Sequence, residues 1–228
     1  MSKLCLAAAT AASAVVIDDF GTPGLPEYTR TVILDANGGA SNVAAFSDAN
    51  GFLEYNTTTY DGIEQAALIR NGLTLGVGEE LQADFAVTGS QDLGLYVGGT
   101  TPTTGVRNDY VAVYARGTDT RLFSRGFDGT SELPLSTTAA DVPYDSLFIA
   151  RTDVNTYELG YYDGDVRNII VTRMPTTAND GDVVGFYTDV RLGGTLASAD
   201  NLSIVPIPEP ASMALLGLGG LAALRRRR

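Results

Sequence analysis

The sequence predicts an all-β protein in which two antiparallel sheets pack face to face as a sandwich. Three observations carry that expectation. Turn-forming clusters recur roughly every eight to twelve residues. The stretches between them alternate apolar and polar residues with period two. No long amphipathic helical pattern interrupts the series.

Examples of these clusters are GTPGLP at 21–26, DANGG at 35–39, DANG at 48–51, VGGTTPTTG at 97–105, FDGTSE at 127–132, YDGD at 162–165 and NDGD at 179–182. Gly, Asn and Asp tolerate the positive φ angles that tight turns demand. Between them, LQADFAV places Leu81, Ala83, Phe85 and Val87 on one face, with Gln82 and Asp84 on the other. LGLYV groups Leu93, Leu95 and Val97, and VGFYTDV sets Val184, Phe186, Thr188 and Val190 against Tyr187 and Asp189. YVAVYA at 110–115 and YELGYY at 157–162 are strand-like, with bulky groups that suit either face. IEQAALIRNG at 63–72 fits a helix and a strand equally well. About a dozen one-sided strands are buried most economically by a sandwich, with an up-and-down barrel as the main rival.

The body is strongly acidic. The formal charge is −12, and setting aside Lys3 and the four terminal arginines leaves 10 basic residues against 27 acidic ones, or −17. Such a surface repels nucleic acid, which is not expected as a partner. Histidine is absent, which removes Ser-His-Asp catalysis and histidine-ligated zinc. The single cysteine, Cys5, lies in MSKLCLAAATAASAVV, whose early Lys, apolar centre and small-residue end have the form of a signal peptide. Ala12 and Ala14 supply an A-x-A cleavage site, so residues 1–14 are expected to be removed by Sec-type export machinery. A mature chain beginning at Val15 would hold no thiol.

Carboxylate chemistry survives this filter. Asp84, Glu158 and Asp189 are candidate acids for a glycosidase pair, but the Glu, Asp and Glu alternation of the sandwich glucanases is missing. The chain is therefore expected to have no catalytic residue and to be no enzyme. Asp163 and Asp165, and likewise Asp180 and Asp182, flank glycines in short loops and offer hard oxygens to calcium. The competing reading of each is a plain Asp-Gly turn, and no other cofactor is expected. Tyr110, Tyr114, Tyr157, Tyr161 and Tyr187 are candidates for an aromatic glycan-binding face, with a surface polysaccharide as the ligand.

The C-terminus differs from the rest. Ala211 to Leu224 is uncharged and apolar but only 14 residues long, short of the ~20 that a self-sufficient membrane helix needs. Pro208, Glu209 and Pro210 precede it, and Arg225, Arg226, Arg227 and Arg228 follow, as the positive-inside rule expects of a cytoplasmic flank. A short apolar helix following the sandwich is expected here.

This three-part tail resembles the PEP-CTERM sorting signal of exported bacterial proteins. The Pro-Glu-Pro corresponds to Pro208–Pro210, the transmembrane-like segment to 211–224 and the basic terminus to Arg225–Arg228. The resemblance implies recognition by a membrane-embedded exosortase, association with the membrane through the tail, and delivery to the cell surface or extracellular matrix. VVIDDF near the start and GTLASADNLSIVP near the end resemble the bracketing strands of concanavalin A-like, laminin-G-like jelly-roll sandwiches, which implies that the first and last strands pair. The expected organisation is a signal peptide at 1–14, a β-sandwich at 15–205 and a sorting signal at 206–228. The function expected is a non-catalytic surface protein, with a lectin-like carbohydrate-binding module and a surface glycoside hydrolase as the alternatives.

Overall fold

The computed structural model describes residues 14–35, 46–56, 64–88, 91–103, 107–118, 120–175, 180–190 and 196–207. Their strands are β1 (Val15–Asp18), β2 (Tyr28–Asp35), β3 (Phe46–Ser47), β4 (Leu53–Asn56), β5 (Glu64–Arg70), β6 (Glu79–Val87), β7 (Asp92–Gly98), β8 (Tyr110–Arg116), β9 (Arg121–Phe127), β10 (Ser136–Thr137), β11 (Ser146–Asp153), β12 (Thr156–Asp163), β13 (Val166–Arg173), β14 (Val183–Val190) and β15 (Leu196–Pro206). An eight-stranded antiparallel sheet runs β13-β12-β11-β6-β15-β4-β3, with β1 added against β15. A seven-stranded sheet runs β10-β9-β8-β7-β14-β5-β2. Among the described residues there is no helix. The expected apolar helix at 211–224 lies outside the described residues, as do Ala12, Pro208–Pro210 and Arg225–Arg228.

The ambiguous segment at 63–72 becomes strand β5. Ala66 and Leu68 join the core between the sheets, whereas Ala67 and Ile69 are buried on the other face. A strand covered on both sides reads as a continuous apolar run, which is why its period could not be assigned from sequence.

The main core fills the space between the sheets. Leu81, Ala83, Phe85, Leu147, Ile149 and Leu159 meet Leu68, Leu93, Leu95, Val111, Val113, Val184 and Phe186. Gln82 and Asp84 point away, as the alternation in β6 requires. Each buried large side chain contributes about 1.5–3 kcal/mol. Phe186 anchors one end of this layer, with ring centroids 5.8 Å from Phe20 and 6.2 Å from Phe85.

At one lateral edge the two sheets are tied by Arg173 of β13. Its guanidinium donates to the Ser124 carbonyl (3.1 Å) and to the hydroxyls of Ser124 (3.2 Å) and Ser136 (3.4 Å) across the gap. Burial lowers its pKa, because desolvation penalises the charge.

The first and last strands pair as expected. Val15 lies opposite Ile204, and Asp18 opposite Leu202. On its other side β15 pairs with β6 from Ala197↔Val87 to Pro206↔Glu79. Both ends of the body are thereby built into the middle of one sheet, and both leave it at the same end.

Candidate functional site

The outer face of the seven-stranded sheet, turned away from the main core, gathers the richest side-chain chemistry in the body. Its strands alternate, so Tyr96, Tyr110, Tyr114, Tyr187, Ala67, Ile69, Phe123 and Val183 share this side. Register places rings opposite glycines. Tyr187 and Tyr114 face Gly94 from its two flanking strands, Tyr110 faces Gly98, and Tyr96 faces Gly185. The rings occupy the space that absent side chains leave. At Gly94 an added Cβ would run into the Val113 carbonyl, and at Gly185 into the Leu68 carbonyl, so neither position admits a larger residue without backbone movement.

The rings form one contact chain. Tyr96 stacks on Tyr110 at 5.2 Å, Tyr110 on Tyr187 at 5.8 Å, Tyr187 meets Tyr114 at 5.4 Å, and Tyr114 stacks on Phe123 at 5.3 Å. Pairs at such distances contribute about 0.5–1.5 kcal/mol beyond burial alone.

Polar groups thread through the rings. The Tyr110 hydroxyl donates to Gln65 Oε1 (3.1 Å), and the Tyr114 hydroxyl to Asp189 Oδ2 (3.3 Å), which also pairs with Arg125 (3.2 Å). Arg116 forms a two-pronged pair with Asp92 (2.9 and 2.6 Å) while lying 4.4 Å over the Phe123 ring. Gln65 Nε2 and the Tyr96 hydroxyl are buried without a hydrogen-bond partner.

Burial pushes the Tyr110 hydroxyl up to about 12. Burial, then the neighbouring Tyr110, raises Tyr96 and Tyr187, and burial, then Asp189, raises Tyr114. All four rings are neutral at physiological pH.

This face is closed. Tyr96, Tyr110, Tyr114 and Tyr187 are essentially inaccessible. Part of the cover is the β7–β8 connection, whose buried Pro102 offers its carbonyl to the Thr31 hydroxyl of β2 (3.4 Å). The connection is held at its root by Asp109, which accepts from the Gly99 N–H (3.1 Å).

The five tyrosines singled out from sequence therefore divide. Tyr110, Tyr114 and Tyr187 come together here, joined by Tyr96. Tyr157 and Tyr161 lie on the eight-stranded sheet and pack against the main core. The structure presents none of the first three as an open aromatic platform, because all three rings are buried.

The candidate acids divide too. Asp189 belongs to the closed face, whereas Asp84 and Glu158 lie on the outer face of the eight-stranded sheet. There Asp84 sits directly opposite Asp200 in the register and accepts from Asn201 Nδ2 (2.8 Å). Glu158 shares Arg167 (2.9 Å) with the buried Glu80 (2.8 Å), which also accepts from the Tyr162 hydroxyl (2.8 Å). Arg167 lies 4.1 Å over the Phe148 ring. No cleft brings Asp84, Glu158 and Asp189 together.

Asp163 and Asp165 flank Gly164 (φ 54°) in the β12–β13 turn, where the Asp145 carboxylate accepts the Gly164 N–H (2.7 Å). Asp180 and Asp182 flank Gly181 (φ 67°) ahead of β14, at the opposite end of the sandwich, beside Arg151. Among the described residues no group of three or more Asp, Glu, His or Cys side chains is gathered to hold a metal ion.

Ala14, the last residue of the expected signal peptide, is exposed and immediately precedes β1. At the other terminus the fold ends with β15 at Pro206, and the Ile207 N–H makes a final tie to the Gly78 carbonyl (2.9 Å).

The PEP-CTERM protein-sorting motif matches residues 206–228, beginning where the last strand stops. It marks the chain as an exported protein of the cell envelope or surface. No curated protein matches the chain in sequence. Among solved structures, a form of LamA from Z. galactanivorans complexed with laminaritriose and laminaritetraose is 13% identical, with a TM-score of 0.54 over 86% of this chain and 100% of that one. A protein of unknown function with a galectin-like fold from Bacillus subtilis is 10% identical, with a TM-score of 0.53 over 86% and 97%. The metal-free exoplasmic/lumenal domain of VIP36 is 10% identical, with a TM-score of 0.52 over 86% and 92%. At these identities the likeness is one of fold, a galectin-like, concanavalin A-like sandwich.

Proposed function

We propose that this chain is an exported surface protein, delivered by its C-terminal segment to a membrane-embedded exosortase and displayed at the cell surface or in the extracellular matrix by a body without catalytic activity. The observation that carries this reading is the coincidence of two boundaries. Strand β15 ends at Pro206, and the matched sorting motif starts there. Cleavage beyond Ile207 would remove no described strand and no described hydrogen bond. The dispersal of Asp84, Glu158 and Asp189 over two opposite faces supports a body that is not a hydrolase.

The test is Glu209→Ala in the full chain. Export is expected to continue while an unprocessed, membrane-associated form accumulates several-fold in cell fractions. An unchanged distribution would show that Pro208–Pro210 is not read.

A second reading, binding of a surface polysaccharide, draws on one specific observation. Gln65 Nε2 and the Tyr96 hydroxyl are buried without partners amid stacked rings, carboxylates and guanidinium groups, a chemistry suited to sugar hydroxyls. LamA, which shares the fold, was solved with glucan oligosaccharides, and VIP36 in a Ca2+-bound form. On this reading the β7–β8 connection must lift to admit the ligand. A glycan array with and without calcium separates the two readings, and no binding in either condition would remove the second.

A further inference from the structure

The described exposed apolar residues are not scattered. Eight large ones stand out, and five of them, Val15, Val16, Val77, Val154 and Met174, cluster at one end of the eight-stranded sheet. The registers define that end. One row of cross-strand partners runs Arg173–Tyr157–Arg151–Glu79–Pro206, and Val15 lies opposite Ile204 beside it. Met174 follows the first of these residues. Val154 sits in the β11–β12 turn, Val77 just before β6, and Val15 opens β1. Four inter-strand steps make this rim roughly 19 Å long. Met174 is 70% exposed, Val15 and Val154 59% each, and Val77 53%.

Both chain ends leave from this rim. Ile207 is tied to Gly78, next to Val77. From Ile207 to Ala211, where the apolar tail segment begins, the chain can reach at most about 14 Å even when fully extended. A tail seated in a membrane would therefore hold the rim within that distance of the bilayer interface.

From this we infer that the rim is a bilayer-contact surface of the precursor, seating Val15, Val77, Val154 and Met174 in the lipid interface while the tail is inserted. The inference rests on the proposed reading of the tail as a membrane-inserted sorting segment. Its basis is apolar. Glu79 is turned back to accept the Gly76 N–H (2.7 Å), and Asp153 accepts the Val154 N–H (2.8 Å). Asp180 and Asp182 stand at the same end, so anionic headgroups would oppose the contact.

The test uses the full chain with Cys5→Ser and a single introduced cysteine carrying an environment-sensitive fluorophore, reconstituted in phosphatidylcholine vesicles that contain spin-labelled lipid. Labels at Val77→Cys and Val154→Cys are expected to shift to the blue and to be quenched roughly twofold more than a label at Val166→Cys, an equally exposed valine at the opposite end of β13. Replacing half of the lipid with phosphatidylglycerol should weaken that quenching, and a gain would overturn the apolar basis. Protein that floats with the vesicles while all three labels report water would overturn the inference and leave the tail reading standing. Protein that does not float would overturn both.

Discussion

The outer face of the seven-stranded sheet carries four tyrosine rings laid over glycines, and chain from the β7–β8 connection covers part of it. The outer face of the eight-stranded sheet instead carries Glu80, Glu158 and Arg167, with Arg167 partly open to solvent. The first face behaves as a second core, held by ring contacts and by hydroxyls whose ionisation burial suppresses. The second is a charge network in which Arg167 and Glu158 keep partial access to water around a buried Glu80. The contrast teaches that residue type and residue role separate once a layer is covered. Tyrosine, glutamine, aspartate and arginine suit recognition, yet here their first consequence is cohesion.

The largest expected effect that sharpens this contrast is collective. Tyr96, Tyr110, Tyr114 and Tyr187 all have raised pKa values in the folded state. The unfolded chain loses these protons near pH 10 while the folded chain keeps them. Their contribution is thus complete below pH 10 and is lost as pH rises, by about 1 kcal/mol per tyrosine between pH 10 and 11. Denaturant midpoints across that range should fall steeply, and the tyrosinate absorbance should rise only as the protein unfolds. Tyrosinate forming before unfolding would mean that the face is open.

Next in size is Tyr187→Ala. It should cost about 3–5 kcal/mol, since the ring touches both Tyr110 and Tyr114 and leaves a cavity. On the opposite face Glu80→Ala removes the buried partner of Arg167. Because that guanidinium can turn toward water, the cost in urea unfolding should be only about 2–3 kcal/mol. An equal or larger loss at Glu80 would invert the comparison. The smallest effect concerns calcium. With Asp163 and Asp165 at one end and Asp180 and Asp182 at the other, millimolar calcium should move Tm by less than about 2 °C. A larger rise would point to a site completed by residues beyond those described.

Much of this architecture is legible in the residues alone. The period-two alternation in β6 and β14 predicts which side chains face the core, and the end-to-end likeness predicts the pairing of β1 with β15. Strand β5 escapes assignment, because burial on both faces erases its periodicity. The tyrosine face is visible in part. Tyr110, Tyr114 and Tyr187 stand out in the sequence, whereas Tyr96 and Gln65 do not. A local signal exists in the alternation Gly94, Tyr96, Gly98 and again Gly185, Tyr187, which places rings and gaps on one side of adjacent strands. That these rings are covered has no local signal. It depends on contacts such as Thr31 with Pro102, 71 residues apart. The Glu80–Arg167 pair spans 87 residues and is equally hidden. The tail lies at the other extreme, since a sorting signal is read as linear chemistry and needs no fold to be recognised.

On the proposed reading the body is finished at Ile207, and the segment beyond it is an address to be removed. Intact mass measurement of the form released from the cell surface tests this most directly. A C-terminus close to Pro208–Pro210, without Arg225–Arg228, is the expected result. A released form that still carries the four arginines would contradict it.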